Sequence, residues 1–366
     1  MGKIPVILVG GFLGAGKTTL IAAATKILTG RDKRVGIVTN DQAANLVDTA
    51  MLKKLSMPIQ EVSGGCFCCR FDDLVTALHR LAETETPDML IGEPVGSCTD
   101  LSATVLQPMK QFLADRFSLT PFSVVVDATQ LRSALQDGEA CRFPDNVLYI
   151  YRKQLEEADV IILNKVDLLD HDELARLTDL LKQGFPHATM MDVSALEGDG
   201  VDSWLDYVLM TPDAGRTITE VDYDVYAEGE AALGWLNASV QLQSEKKIDW
   251  RVFCRDLMEA IRTRLQQSAA EIAHLKLHLT AGDDAITANL TNNKDAVLIR
   301  GETGDSPLQA RLLVNVRANT TPEQLRSVTE DCLETATGKA IRLIVEEIDS
   351  FAPARPQPTH RFGSVW

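Results

Sequence analysis

Hydrophobic positions fall into two textures along this chain. Between residue 4 and about residue 210, short runs that are largely apolar are separated by stretches of helical period such as 17–28, 43–55 and 72–83. The runs are 4–9, 34–39, 59–62, 88–91, 122–126, 159–163 and 188–193. Continuous apolar runs of strand length mark strands covered on both faces. Their alternation with helices predicts an α/β fold: a doubly wound, mostly parallel sheet. After the turn-rich Thr211-Pro-Asp-Ala-Gly-Arg216 the pattern changes. Strands are expected over 233–242, 275–279, 285–291, 311–317 and 341–348, with helices from Trp250 to Gln266 and from the cap sequence Thr321-Pro-Glu-Gln. Two strand–helix–strand units of this kind predict a smaller α+β domain with a one-sided antiparallel sheet. The expected boundaries are 1–210 for the first domain, 211–222 for a linker, 223–350 for the second domain and 351–366 for a proline-rich tail. That tail should be extended, either as a docking strap or as a loose end.

Composition narrows the class. A chain of 366 residues exceeds what one core usually serves, in line with two domains. With 36 basic against 52 acidic residues the net charge is −16, and no basic stripe offsets it, so nucleic acid is not an expected partner. The longest apolar runs fall short of the ~20 residues that span a bilayer. Met-Gly-Lys-Ile-Pro leads straight into the first strand, which leaves no room for a secretory signal. A soluble cytoplasmic protein without membrane contact is the expectation.

The chemistry begins directly after the first strand. Gly10 to Thr19 contains Gly11-x4-Gly16-Lys17-Thr18, the spacing of a phosphate-binding P-loop. In such a loop the glycines allow a tight turn with N–H groups pointing inward. Lys17 reaches the β- and γ-phosphates, the Thr18 hydroxyl suits Mg²⁺, and a helix starting at Lys17 puts its positive end beneath the phosphates. The second strand ends in Asn40-Asp41 at the edge where such sheets bind ligands, making Asp41 a candidate Mg²⁺-facing or switch carboxylate, or else one half of a turn pair. The strand 159–163 delivers Asn164-Lys165-Val166-Asp167. There Asp167 can accept from guanine N1–H and the 2-amino group, donors that adenine lacks, while Asn164 and the Lys165 stem support the ring. Ser194-Ala195-Leu196, after the last strand of this set, fits the loop closing over the base from the other side. Together these favour GTP over ATP.

Seven cysteines, three of them in Cys66-Phe67-Cys68-Cys69, do not resemble a disulfide framework. Cys66 and Cys68 converge if the segment is extended, Cys66 and Cys69 if it curls. Three thiolates with one outside ligand suit tetrahedral Zn²⁺ or Co²⁺. A buried hydrophobic trio or a redox sensor are the competing readings. Cys98, five residues beyond Glu93, is an outside candidate for a further ligand. Cys141, Cys254 and Cys332 are isolated, the last two in helical patterns that imply packing. His274 and His278 share one face of an expected strand, as a surface pair or a transfer site.

The P-loop, Gly65-Cys66-x-Cys68-Cys69, Glu93-x-x-Gly96 and the late Asn164-Lys165-x-Asp167, in this order, resemble the CobW-like GTPases, relatives of the nickel-insertion GTPases of urease and hydrogenase maturation. The resemblance covers the first ~210 residues and extends more weakly to the second domain. It implies a GTP-hydrolysing metal chaperone or insertase with a P-loop GTPase domain and a CobW-like C-terminal domain, serving a client metalloprotein such as a corrinoid-dependent enzyme. It implies that Gly11, Gly14, Ala15, Gly16, Lys17, Thr18 and Thr19 hold phosphate, that Glu93 acts on Mg²⁺ or its waters, and that Cys66, Cys68 and Cys69 supply metal thiolates. Two segments depart from the family pattern: Asn40-Asp-Gln-Ala43 and Glu93-Pro-Val-Gly96. Pro94 stiffens the second of these, and Ser97-Cys98-Thr99 adds ligands that typical members lack. They point to a divergent subgroup. Lys17, Glu93 and Asp41 are the catalytic candidates, with slow intrinsic turnover and a nucleotide-dependent homodimer as further expectations. A GTPase switch that gates a partner enzyme, with structural or redox cysteines, is the alternative.

Overall fold

The first apolar run becomes β1 (Ile4–Gly11), and its side chains from Val6 to Gly11 are all buried. In the computed structural model, which describes residues 2–42, 47–53, 57–135, 143–211, 213–304 and 308–366, this strand lies inside a parallel sheet. In chain order the other elements are α1 (Lys17–Gly30), β2 (Val35–Asn40), α2 (Val47–Lys53), β3 (Ile59–Val62), α3 (Phe71–Thr84) and β4 (Met89–Glu93). There follow a wide π-helical turn (Ser102–Leu106) running into α4 (Gln107–Phe112), then β5 (Phe117–Leu119), β6 (Ser123–Asp127), α5 (Ala128–Leu135), α6 (Asp145–Glu156) and β7 (Val160–Asn164). The set closes with α7 (His171–Gly184), β8 (Thr189–Val193), α8 (Val201–Met210) and α9 (Tyr223–Ala231).

The strand order is β3-β2-β4-β1-β6-β7-β8, with β5 also paired to β1. Every pairing is parallel, as the continuous apolar runs require. The order reverses direction at β1, so the crevice at its carboxyl end is where such a sheet takes ligands. Beneath it, Leu20, Ile21, Ala24 and Leu28 of α1 join Trp204, Leu205 and Val208 of α8 in one core. The Trp204 indole N–H is satisfied by the Ser123 hydroxyl at 2.9 Å.

The chain divides into two units that are not contiguous in sequence: 1–42 with 52–229 and 355–366, and 43–51 with 230–354. The second unit is an antiparallel sheet in the order β12-β11-β10-β13-β9-β14. Its strands are β9 (Gly234–Ser244), β10 (Ile272–Ala281), β11 (Asp284–Leu290), β12 (Leu298–Arg300), β13 (Gln309–Ala318) and β14 (Ile341–Phe351). Clean alternation puts Leu236, Ala238, Val240 and Leu242 of β9 on one face, against α10 (Trp250–Gln267) and α11 (Pro322–Thr337). Both helices start on side-chain caps, Asp249 and Thr321. Cys254 and Cys332 are buried in that core as packing residues.

Several features differ from the expectation. The stretch 97–109 is buried at every position, so it carries no amphipathic period, and the pattern gave no sign of its helical turns. The expected helix 43–55 is described only over 47–53, and residues up to Met51 group with the second unit. There the Val47 N–H donates to Asn315 and Lys276 pairs with Asp48, on the polar face of the sheet. The same face holds His274 and His278, which are buried, not on the surface: His274 meets Asn289 at 2.8 Å and His278 meets Thr287 at 3.1 Å. The segment read as a linker is clamped to the first unit, with Gly215 and Arg216 amides donating to the buried Asp159. Cys141 and Pro212 lie outside the described residues.

Candidate functional site

The P-loop is bent by glycines that no other residue could replace without distortion. Gly16, at the N-cap of α1, has φ +99°, and a Cβ there would stand 2.4 Å from Asn164 Nδ2. A Cβ on Gly11, φ +128°, would meet the Val125 carbonyl at 2.2 Å. The Lys17 ammonium donates to the carbonyls of Gly11 (2.9 Å) and Phe12 (3.3 Å), which puts it in the mouth of the loop. One residue on, the Thr18 hydroxyl donates to Glu93 Oε1 at 2.8 Å. Both side chains are buried. A hydroxyl and a carboxylate at that distance, beside a phosphate loop, are the hard oxygen donors that Mg²⁺ takes.

The Asn164-Lys165-x-Asp167 segment leaves the carboxyl end of β7 and braces the loop from behind. Asn164 donates to the Ala15 carbonyl (2.8 Å) and accepts from the Ala195 amide (2.9 Å). It therefore ties together the P-loop and the Ser194-Ala195-Leu196 loop. Lys165, in a left-handed conformation at φ +67°, pairs with Asp127 at 2.5 Å, and Asp167 accepts from the Ser194 hydroxyl at 2.6 Å. Asp127, at the end of β6, carried no role in the sequence; its place at a strand end ahead of Asn-Lys-x-Asp was the available signal. Leu168 and Leu196 stay exposed beside these loops.

The cysteine cluster follows β3, at the carboxyl end of the same sheet. The chain curls here: the Cys69 and Arg70 amides both donate to the Cys66 carbonyl, at 3.0 and 2.9 Å, leading into α3. This turn decides between the two convergences by allowing both. The Cys66 sulfur lies 2.6 Å from Cys68 and 3.2 Å from Cys69, with 3.8 Å between Cys68 and Cys69. All three sulfurs fall within 4.8 Å of one another. Asn40 builds the cradle, donating to the carbonyls of Val62 and Gly65 and accepting from the Phe67 amide at 2.7 Å. Its neighbour Asp41 bonds Val62 through its amide and accepts from the Gln42 amide. Asn40 is thus a positioning residue that the sequence pattern hid behind Asp41.

Mutual hydrogen bonding pulls the acidities of the three thiols apart. The Cys66 thiol is held well below the usual range by its hydrogen bonds with Cys68, then with Cys69 and Cys98. Cys68 is pushed well above that range by the same bonds and by burial, and Cys69 is pushed up to about 11, chiefly by its bond to Cys66. Three sulfurs brought this close are a soft-metal donor set.

The proline-rich tail is docked over this cluster. The Gln357 amide donates to Cys69 Sγ at 3.2 Å, and the Thr359 amide donates to the Cys68 carbonyl at 2.8 Å. His360 lies edge-on to Phe71 and tilted against Phe112. Arg361 pairs with Asp100, whose side chain is 1% exposed, and the Phe362 amide reaches the Ala103 carbonyl. Of the two outcomes open for the tail, the strap is the one observed.

The family profile described as "CobW/HypB/UreG, nucleotide-binding domain" matches residues 5–192, just over half of the chain. The chain is 32% identical over 197 residues to the zinc chaperone CobW of a Sinorhizobium species, covering 49% of this chain and 55% of that protein. It is 25% identical over 217 residues to the zinc-regulated GTPase metalloprotein activator 1 of Dictyostelium discoideum, covering 52% of this chain and 45% of that protein. The chain therefore spans about half the length of the curated relatives it matches. Among solved structures, the Zn(II)-bound YjiA GTPase from Escherichia coli aligns over 91% of this chain and 99% of its own, at 15% identity and a TM-score of 0.37.

Proposed function

We propose, from the premise that this chain belongs to the CobW/HypB/UreG family of nucleotide-binding domains, that it is a slow GTPase that carries a transition metal. It takes up the ion, zinc foremost with Co²⁺ as its chemical neighbour, at Cys66, Cys68 and Cys69. It gives the ion to a client metalloprotein when GTP is hydrolysed. The observation that carries this reading is the convergence of three thiols at the same carboxyl edge of one sheet as the P-loop. The names of the relatives, zinc chaperones and a zinc-regulated GTPase, support zinc as the first ion to test.

Within this reading the side chains divide the work. Residues Gly11 to Thr19 hold the phosphates, and Lys17 neutralises charge on the β- and γ-oxygens. Mg²⁺, when bound, supplies further neutralisation of the phosphates, and Thr18, with Glu93 and Asp41 at the neighbouring strand ends, would hold it. Asp167 reads guanine, supported by Asn164 and Lys165. Metal uptake converts the remaining thiols to thiolates, releasing their protons to water. The partners are those that metal delivery requires. They are a client metalloenzyme in the cytoplasm, a corrinoid-dependent one among the candidates, and a second copy of the chain that joins in the GTP state.

The test is a zinc competition against a chelator, run without oxygen, with Mg²⁺ and either GDP or a non-hydrolysable GTP analogue, beside a phosphate-release assay. Slow release of phosphate is expected, with tighter zinc binding in the GTP-analogue state. Replacing all three cysteines by serine should abolish zinc binding and leave the analogue bound. Undiminished zinc affinity in that triple variant overturns the proposal. Equal affinity in both nucleotide states shifts the case to a GTPase switch that gates a partner while its cysteines serve structure.

A further inference from the structure

Phe67 stands between two of the thiols and offers no ligand atom of its own, yet its side chain is 0% exposed. Two separate contacts hold it. Its amide donates to Asn40 Oδ1 at 2.7 Å, at the end of β2. Its ring lies beside Gly92 of β4, where a Cβ would stand 3.8 Å from Phe67 Cε2. The buried side chains of Cys66 and Cys68 extend from the residues on either side.

Both anchors sit at the nucleotide end of the sheet. Glu93, the residue after Gly92, accepts the Thr18 hydroxyl at 2.8 Å, and Thr18 follows Lys17 directly. Strand β2 runs parallel to β4 with Thr39 opposite Glu93, so Asn40 is the residue just beyond that pair. Asn40 also grips the approach to the thiols through the carbonyls of Val62 (2.9 Å) and Gly65 (2.7 Å). Phe67 therefore bears on two neighbouring strands at the level of Glu93, once through its backbone and once through its ring. A close-packed ring and a buried hydrogen bond leave little slack to absorb a displacement. A shift of Glu93 or Asn40 moves Phe67, and moving Phe67 moves the cysteines bonded to it on both sides.

We propose that Phe67 is the wedge that couples nucleotide to metal, setting the spacing of the Cys66 and Cys68 sulfurs according to where the ends of β2 and β4 stand. It is a positioning residue, since it touches neither ion nor nucleotide. The proposal rests on the metal-carrying reading above and names the coupling element within it. By linkage, metal must then alter affinity for the GTP analogue by the same factor as the analogue alters affinity for metal.

The experiment is anaerobic Co²⁺ titration of the full chain with Mg²⁺ and either GDP or a non-hydrolysable GTP analogue, in wild type and in Phe67→Leu. Leucine keeps the position apolar but does not reach as far as the ring. Wild type should show a thiolate-to-metal band with both nucleotides, and its Co²⁺ affinity should differ between them by at least about 5-fold, the lower end of typical couplings. Phe67→Leu should keep the band and bind the analogue, yet lose that ratio, and with it the effect of Co²⁺ on analogue affinity. Amide hydrogen exchange on metal-free wild type needs no variant: the rate at Phe67 should differ between the two nucleotides. Equal exchange there in both states overturns the role of Phe67. So does a Phe67→Leu protein whose Co²⁺ affinity falls equally with both nucleotides and whose ratio stays intact, because a residue that only fills space behaves in that way. If wild type gives no thiolate band with either nucleotide bound, the metal-carrying reading itself fails, and the role of Phe67 with it.

Discussion

Two regions of one sheet edge are built in opposite ways. The nucleotide region is made almost entirely from residues that carry their own instructions. Gly16 and Gly11 adopt positive φ where no Cβ fits, Lys17 and Thr18 follow them directly, and Asn164 binds the loop through one amide. The cysteine region is assembled from pieces far apart in the chain: Asn40 from β2, the turn 66–69 and the tail from Arg355 onward. The difference teaches that phosphate binding depends on local backbone geometry, whereas the thiol site depends on what surrounds it.

The largest expected effect tests whether the two can be separated. Gly16→Ala places a methyl group at φ +99° and drives it into Asn164. Strain at such a position costs about 1–3 kcal/mol. Displacing the Asn164 bond to Ala15 adds about 1 kcal/mol. Affinity for a fluorescent GTP analogue should fall at least about 100-fold, as about 3 kcal/mol implies. Zinc bound in the absence of nucleotide should be unaffected, since the atoms that a Cβ at Gly16 would meet belong to Asn164. Loss of zinc binding as well would show that the cysteine region does not stand without the P-loop.

This contrast also explains what the sequence revealed. The parallel sheet, the P-loop and the Asn164-Lys165-x-Asp167 segment were legible because strand runs, positive-φ glycines and strand-end polar residues are local signals. The second unit's sheet was legible from the alternation in β9 and from the caps of α10 and α11. Missed were the helical turns of 102–109, where burial on all sides erases periodicity, and the grouping of Val47 and Asp48 with the second sheet, which depends on Asn315 and Lys276. Asn40 escaped for the same reason, because its worth lies in carbonyls some 25 residues away. Burial of His274 and His278 could not be read from a strand's own alternation, which shows shared faces but not what covers them.

The next effect concerns the buried loop after β4, whose Thr99 hydroxyl and Ser102 amide both donate to Glu157. Glu157 is fully buried, and that burial pushes its carboxyl up to about 8, from about 4.5 in the unfolded chain. Below pH 4.5 the group is protonated in both states. As pH rises from there to about 8, the unfolded chain loses the proton that the folded chain keeps, so stability falls by up to about 1.4 kcal/mol per pH unit. Glu157→Gln stays neutral and can still offer its carbonyl to the Ser102 amide and its amide to Thr99. Denaturant titrations should find the variant gaining about 2–4 kcal/mol on wild type between pH 5 and pH 8. A parallel pH dependence in the two proteins would mean that Glu157 titrates normally.

The smallest effect falls on the cysteine region alone, through its cover. Arg361 reaches Asp100 with Nε at 2.7 Å and Nη2 at 3.5 Å, and the Thr219 carbonyl with Nη2 at 3.2 Å. Its side chain is about one third exposed, which screens the pair, so its removal should loosen the tail by about 1–2 kcal/mol. Asp100 keeps the Tyr223 hydroxyl at 2.8 Å, so the loop beneath the tail survives. In Arg361→Ala the tail should lift more often, taking the Gln357 N–H from Cys69 and the Thr359 N–H from the Cys68 carbonyl. Chelator-driven zinc release should then speed up about 10-fold, the factor that 1.4 kcal/mol represents, with GTP-analogue affinity unchanged. Arg361→Lys keeps the charge but not the forked geometry, so its release rate should fall between the two. If Arg361→Ala releases zinc at the wild-type rate, the ion leaves by a path the tail does not cover. If GTP-analogue affinity changes along with release, the tail reaches the nucleotide through the Asp100 loop, and the two regions share a control that their separate construction conceals.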